Sequence, residues 1–450
     1  MLFGTSGVRG VIGEELTPEF FLELGMAVGT VLPVNARVCV ASDSRLSRDM
    51  IRSSLSAGIL STGVHVVDLG ILPTPVLSFL TRELQFQTGI MITASHNPPQ
   101  FNGVKLWDSS TIGYSREQEA RVEKVYSSKC FRKASWENLG QSTSDHGARE
   151  EYFTALEKKL PVKTDLSVVV DPGNGAASGI ASDLFERMGI TVFPINDEPD
   201  GTFPRRPSEP REDTLKTTME YLKEVGADIA VCFDGDADRV VFCDEKGFLG
   251  YNEMISFMSF KVAEFASSKV VATTVETGRL LDHAVSKAGA QVVRGRVGDV
   301  AVAHLMKEYN ACIGVEQVGV YILPEIGMHP DTLYATLFLL QNIEAPSDIR
   351  AFISSLPTMF FSKEGIPCPN PKKQKVMDIA EPLTHALNPD EINTLDGIRL
   401  EFSDSWVLIR PSGTEPLIRV ICESESESRM KTLLKEGITI VEHALQKVNS

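Results

Sequence analysis

Three carboxylates stand at alternate positions in Asp234-Gly235-Asp236-Ala237-Asp238-Arg239, between two apolar runs over 229–233 and 240–243. Carboxylates packed this closely repel one another unless a cation neutralises them. Their alternation with tiny residues lets the segment curl so that all three reach one divalent ion through hard oxygen ligands. An EF-hand is excluded. Glu245 falls at its twelfth position, but Arg239 occupies the sixth, where the sharp turn needs glycine, and the flanks read as strands rather than helices. An aspartyl-phosphate loop, Asp-x-Asp after a strand, stays open as a second reading for Asp234 and Asp236.

A second constellation is Thr93-Ala94-Ser95-His96-Asn97-Pro98, followed by Asn102-Gly103-Val104-Lys105. The apolar stretch 89–92 before it reads as a buried strand, and Asn-Pro-Pro after it as a turn. Ser95 is therefore expected on an exposed loop at a strand's carboxyl end, where open α/β sheets bind ligands. A hydroxyl there can act as a nucleophile or carry a phosphoryl group, with His96 beside it and the Lys105 ammonium nearby. Taken alone, a Ser/His/Asn turn more often serves as a helix cap.

Three weaker loops accompany these two. Residues 4–10 hold three glycines, two hydroxyls and Arg9, an inventory suited to an anion though not in Walker spacing. Residues 314–320, with Glu316, form a Gly-punctuated loop after a strand. Arg410-Pro411-Ser412-Gly413-Thr414-Glu415-Pro416 offers two hydroxyls, backbone N–H groups and an arginine in one tight turn, with Arg419 on the strand beyond. That is the inventory of an anion nest.

The elements that must position these loops show an internal repeat. A strand over 37–41, a polar loop, a helix near 47–61 and a strand over 63–67 recur as 166–170 to 189–193 and as 269–272 to 289–293. Strand, Gly- or polar-rich loop, helix, glycine and strand describe a βαβ unit in a largely parallel sheet. Polar residues over 127–147, a shift near 248 and four prolines over 355–375 mark boundaries. The expected domains are 1–146, 147–248 and 249–358, all α/β, and 359–450. The last lacks the repeat, offers strands near 397–402, 405–410 and 417–422 and a helix over 427–447, and reads as α+β.

Composition narrows the partners. The 450 residues carry a net charge of -16, which argues against nucleic acid or an anionic membrane. No apolar run approaches the ~18 residues of a membrane span. Seven scattered cysteines without a CxxC pair read as reduced thiols, and no secretory signal is apparent in the first nine residues, so a cytoplasmic location is expected.

Together the loops at 93–105, 234–239, 314–320 and 410–416 resemble, in order and across essentially the whole chain, the α-D-phosphohexomutase family. Leu72-Pro73-Thr74-Pro75, Asp171-Pro172-Gly173-Asn174-Gly175 and Arg296-Val297-Gly298-Asp299 add to the likeness. Within the family, Phe3 to Gly10 and Glu316-Gln317 look most like archaeal-type phosphoglucosamine mutases. The resemblance implies three tandem related α/β/α domains plus a C-terminal α+β domain around a central cleft. It implies a phosphoserine at Ser95 with Arg9, His96 and Lys105 in catalytic roles. One Mg²⁺ is implied on Ser95, Asp234, Asp236 and Asp238. Substrate contacts are implied for Arg239, Glu316, Arg410, Ser412, Gly413, Thr414 and Arg419. The implied reaction moves a phosphoryl group between O6 and O1 of a hexose, glucosamine 6-phosphate to glucosamine 1-phosphate, with a sugar bisphosphate as intermediate and activator. A monomer or homodimer is expected. Val318 and Val320 depart from the family's Glu-x-Ser-Gly-His or Asn pattern, which leaves phosphomannomutase/phosphoglucomutase activity, or a non-catalytic sugar-phosphate binder, as alternatives.

Overall fold

The structure is a computed structural model that describes residues 2–4, 7–413 and 415–449. Its chain forms two compact units, Met1–Tyr251 with Val318–Ile349, and Asn252–Gln317 with Arg350–Ser450.

The first unit holds two sheets. One contains β1 (Val8–Val11), β2 (Arg37–Ser42), β3 (His65–Ile71), β4 (Thr88–Ile92), β5 (Phe101–Asp108) and β6 (Ser142–Ser144), in the order β1-β5-β4-β2-β3-β6. β2 runs parallel to both β3 and β4, whereas β5 is antiparallel to β4. The second sheet contains β7 (Ser167–Asp171), β8 (Thr191–Pro194), β9 (Ile229–Phe233), β10 (Val240–Asp244) and β11 (Gly247–Leu249), in the order β11-β10-β9-β7-β8. Again the first strand lies between two parallel neighbours, and the strand after the third is antiparallel. The two sheets are thus copies of one pattern, as the repeat predicts. Their central strands are near-continuous apolar runs because helices cover both faces and no polar side is needed.

Helix Pro18–Val31 starts cleanly because Thr17 accepts a hydrogen bond from the Phe20 amide and Pro18 opens the first turn. It packs tightly on helix Arg48–Leu60 through glycine. A Cβ on Gly25 would lie 2.2 Å from the Leu55 carbonyl oxygen, and one on Gly58 2.1 Å from that of Leu22.

In the second unit, β12 (Val270–Thr274) is parallel to β13 (Gln291–Gly295) on one side and to β14 (Ile313–Glu316) on the other, the same three-strand core once more. The short strand β15 (Val320–Ile322) belongs to the first unit. The tail is an antiparallel sheet of β16 (Phe360–Pro367), β17 (Glu391–Asn393), β18 (Ile398–Phe402), β19 (Ser405–Pro411) and β20 (Leu417–Ser424), in the order β16-β20-β19-β18-β17. Helices Lys373–Thr384 and Glu427–Asn449 cover one face, with Val376, Leu400, Val407, Val420, Leu433 and Val441 in the shared core.

Two stretches differ from the sequence reading. The polar segment 127–147, read as a boundary for want of any period, is built onto the first sheet. Arg132 donates to the carbonyls of Gly29, Leu32 and Thr62, and residues 142–144 add an edge strand to β3. The proline-rich 355–375 hides a full strand. β16 pairs with β20 over eight residues, with Pro367 at its end, where a missing N–H costs little. The seven cysteines are free, all buried except Cys130. Among the described residues no helix is long and apolar enough to cross a membrane.

Candidate active site

In each copy of the repeat, the third parallel strand ends in a loop singled out by its chemistry. β4 leads to Ser95, β9 to Asp234 and β14 to Glu316.

Ser95 is fully buried, not on an exposed loop as expected. The loop folds inward because its polar groups find protein partners. The Ser95 amide donates to Thr93 Oγ1 at 2.8 Å, and Thr93 Oγ1 donates to Asp43 at 2.7 Å. Arg45, also fully buried, donates from Nη1 to the Pro98 and Phe101 carbonyls and from Nη2 to those of Ser95 and Asn97, while its Nε rests on Asp43 at 3.0 Å. Ser95 itself is held at φ 52°, a left-handed conformation that costs a non-glycine residue about 1–3 kcal/mol and is typical of functional sites. Its Oγ donates to Asp234 Oδ2 at 2.7 Å and lies 3.3 Å from His96 Nδ1.

The six residues 234–239 turn between β9 and β10. Gly235 is required there, since a Cβ would stand 2.4 Å from the Ser95 carbonyl oxygen. Asp236 Oδ2 accepts from Thr74 Oγ1 and from Lys105 Nζ, both at 2.7 Å, and Asp238 Oδ2 accepts from Lys105 at 2.5 Å. One oxygen from each of the three buried aspartates lies within 4.8 Å of the others, and among the described residues Asp236 Oδ1 and Asp238 Oδ1 have no hydrogen-bond partner. Buried carboxylate oxygens left without partners, in a site of hard donors only, fit a divalent cation such as Mg²⁺.

The electrostatics agree. Burial, then the charges of Asp238 and Asp236, push the Asp234 carboxyl well above its ordinary range, outweighing Arg239 and the Ser95 hydroxyl. Burial alone would weaken the Lys105 ammonium, but Asp236 and Asp238 outweigh it and hold the proton firmly. Burial, then the cationic Arg239, Arg9 and Lys105, lower the His96 imidazole to about 2, so it is neutral. Arg9, on β1, donates to Asn97 Oδ1 at 3.1 Å, and its Nε has no partner among the described residues. Arg239 stands 3.8 Å from Glu209. A cavity of about 440 Å³ opens beside His96, lined by Pro98, Pro99 and residues 202–208.

The second unit carries the remaining candidates. Glu316 Oε1 accepts from the Gly298 amide at 2.9 Å, and the neighbouring Val297 amide donates to Asp396, which lies 3.1 Å from Arg410 Nε. Arg410 and Arg419 are cross-strand partners on β19 and β20. Arg410 Nη1 donates to Glu276 Oε1 at 3.0 Å, Lys363 donates to Glu276 Oε2 at 3.1 Å, and Arg419 reaches Glu415 at 2.6 Å. The Ser412 amide is not open to a ligand, as the turn suggests, but donates to the Leu417 carbonyl, while its Oγ accepts from the Glu415 amide. Lys373 fastens the turn from below through the carbonyls of Ser412 and Glu415. Gly413 is exposed; Thr414, like Thr5 and Ser6 of the N-terminal loop, lies outside the described residues.

Sequence reading missed the residues that hold the loops. Asp43 and Arg45 fix the serine loop. Arg206 donates to Asp171 and to the Phe233 carbonyl just before Asp234, and Ser208 Oγ donates to the Asn97 carbonyl. Glu276 and Lys373 organise the tail. One signal was available: an acid follows the first strand of each repeat copy, Asp43, Asp171 and Glu276, and each grips an arginine.

Repeated α/β layers that bring a buried serine hydroxyl against an aspartate triad point to a phosphoryl-transfer protein. Comparison with known proteins places it more closely. Family models described as "Phosphoglucomutase/phosphomannomutase" match in sequence: α/β/α domain I over residues 1–133, domain II over 150–247, domain III over 252–358 and the C-terminal domain over 366–438. A Pyrococcus abyssi protein named "Probable phosphoglucosamine mutase" is 38% identical over 451 residues, covering 100% of this chain and 99% of its own. A Thermococcus kodakarensis protein named "Phosphoglucomutase/phosphomannomutase" is 38% identical over 458 residues, covering 99% of both. The crystal structure of a phosphoglucomutase/phosphomannomutase family protein from Burkholderia thailandensis superimposes with a TM-score of 0.87 at 25% identity, over 98% of this chain and 97% of that one. The chain belongs to the phosphoglucomutase/phosphomannomutase family, a family of phosphohexomutases, which are isomerases.

Proposed function

We propose that the protein interconverts glucosamine 6-phosphate and glucosamine 1-phosphate through phosphorylated Ser95. The observation that carries the reading is the Ser95 hydroxyl, 2.7 Å from Asp234 in a buried aspartate triad where, among the described residues, Asp236 Oδ1 and Asp238 Oδ1 have no hydrogen-bond partner. In the first half-reaction the P–Oγ bond of phosphoserine 95 breaks as the free sugar hydroxyl oxygen bonds to phosphorus, and that hydroxyl's proton passes to a base. The bisphosphate turns over. Its other phosphoryl then moves to Ser95 Oγ, leaving the isomerised monophosphate and the phosphorylated enzyme.

His96, 3.3 Å from Oγ, would orient the serine hydroxyl, since burial and its cationic neighbours make it too weak a base to carry the proton, whereas Lys105, firmly protonated, orients and neutralises. Asp234, Asp236 and Asp238, with a phosphoserine oxygen, would hold one Mg²⁺, which supplies charge that offsets the transferring phosphoryl. Arg9 steadies the serine loop through Asn97. Arg410, Ser412, Gly413 and Thr414 would hold the phosphate that is not reacting, with Arg419 and Arg239 as further cations for the substrate, and Glu316 would accept from sugar hydroxyls. A sugar bisphosphate would act as activator.

The choice of sugar is supported by the names of the Pyrococcus relative and others like it. A phosphoglucomutase/phosphomannomutase is the second reading, favoured by the equal identity to the Thermococcus protein. Assay of glucosamine, glucose and mannose phosphates, each with Mg²⁺ and the matching bisphosphate, separates them. The highest kcat/KM is expected for glucosamine phosphate; a higher value for either other sugar would replace the first reading with the second.

A further inference from the structure

The cations assigned to the non-reacting phosphate are already gathered around a carboxylate. Arg410 and Arg419 face each other across β19 and β20, an arrangement that is destabilising unless an anion sits between them. Lys363, on β16 beside β20, brings a third positive charge. Glu276 answers all three. Its Oε1 accepts from Arg410 at 3.0 Å and lies 4.0 Å from Arg419, and its Oε2 accepts from Lys363 at 3.1 Å. The carboxylate is buried and bidentate, as a phosphate held by the same groups would be.

The other two acids of the cluster are placed differently. Asp396 is also tied to the Val297 amide, and half-exposed Glu415 pairs with Arg419 alone. Each of these three cations already lies against a carboxylate, so an entering dianion would meet those acids at close range unless one of them leaves. Glu276 alone touches two cations at once. It sits in the loop after β12, where its amide donates to Thr274 Oγ1, so its side chain can turn away without breaking a strand.

We propose that Glu276 is an internal stand-in for phosphate, which holds the site assembled when it is empty and which the substrate's non-reacting phosphate must displace. Resting on the assignment of this cluster to that phosphate, the inference makes Glu276 a determinant of affinity. Removing its charge tightens phosphate binding instead of weakening it, opposite to what a merely structural ion-pair partner would do.

The test uses the full chain and inorganic phosphate as the probe, with the dissociation constant read by calorimetry and the phosphate-dependent rise in melting temperature read alongside. Glu276→Gln keeps the shape and removes the charge. It should bind phosphate about ten- to a hundredfold more tightly and gain more thermal stability from it than wild type. Arg410→Ala should bind more weakly by a similar factor. Weaker binding by Arg410→Ala with unchanged or weaker binding by Glu276→Gln overturns the role of Glu276 while leaving the phosphate assignment intact. No change in either variant overturns the assignment and the inference with it. If Glu276→Gln does not fold, Glu276→Asp, which keeps the charge but shortens its reach, should still bind more tightly; unchanged or weaker binding by that variant overturns the inference.

Discussion

The chain contains two dense clusters of charge that are balanced in opposite ways. Around Ser95, Asp236 and Asp238 share Lys105, with Arg9 and Arg239 acting on the triad as well, and among the described residues Asp236 Oδ1 and Asp238 Oδ1 have no hydrogen-bond partner. In the tail, Arg410, Arg419 and Lys363 each lie against a carboxylate of Glu276, Asp396 or Glu415. The first cluster has buried ligand atoms to spare, so it can accept a cation without rearrangement. The second is matched, so it can accept an anion only by giving one up. An unsatisfied buried acid marks a site waiting for its partner; a satisfied one marks a site that must exchange partners.

Substitutions separate the two clusters. Ser95→Ala should lower turnover by several orders of magnitude, because no group would then accept the phosphoryl; steady-state assay within tenfold of wild type would remove Ser95 from the chemistry. Chelation should abolish activity and Mg²⁺ should restore it, while Asp236→Asn should raise the Mg²⁺ needed for half-maximal rate. Full activity in chelator would mean that Lys105, Arg9 and Arg239 balance the triad without a metal. Arg45→Met should lower unfolding free energy by about 3–5 kcal/mol, since it leaves Asp43 buried and unpaired. Arg410→Ala should cost much less, because Glu276 keeps Lys363. Equal losses in denaturant titrations would erase the contrast between a fixed pair and an exchangeable one. The smallest effect is expected at the sugar loop. Val320 is buried on β15 and packs, whereas Val318 is half-exposed. Val318→Ser should change kcat/KM for one sugar by about tenfold or less, and a uniform loss across sugars would show that the valine serves packing.

Much of the fold was legible because its strands are apolar runs closed by glycine and polar loops. The three copies of strand, loop, helix and strand appear where the repeat predicts them, and the tail strands fall close to the expected ranges. β16 escaped notice because prolines around it mimic a linker; its partner, β20, lies more than fifty residues on. The same distance hid much of the site. Ser95 and the triad declare themselves through local spacing. Arg206 and Glu276 act on residues far away in the chain, and nothing beside them in sequence names those partners. Arg45 is a different case, since its anchor Asp43 is two residues away but its four carbonyls lie about fifty residues on. The expected exposure of Ser95 failed for a related reason. A polar Ser-His-Asn turn next to proline reads as surface, yet Arg45 supplies the donors that water would otherwise provide.

The central claim is that Ser95 carries the phosphoryl group between the two half-reactions. Peptide mass spectrometry after the protein is incubated with glucosamine 1,6-bisphosphate and Mg²⁺ tests it directly. One phosphoryl group should appear on Ser95, and an isotopic label carried on it should pass to the sugar when unlabelled glucosamine monophosphate is added. An active enzyme whose Ser95 peptide stays unmodified throughout, or whose phosphoryl group resides on Asp234 or Asp236, would contradict the account.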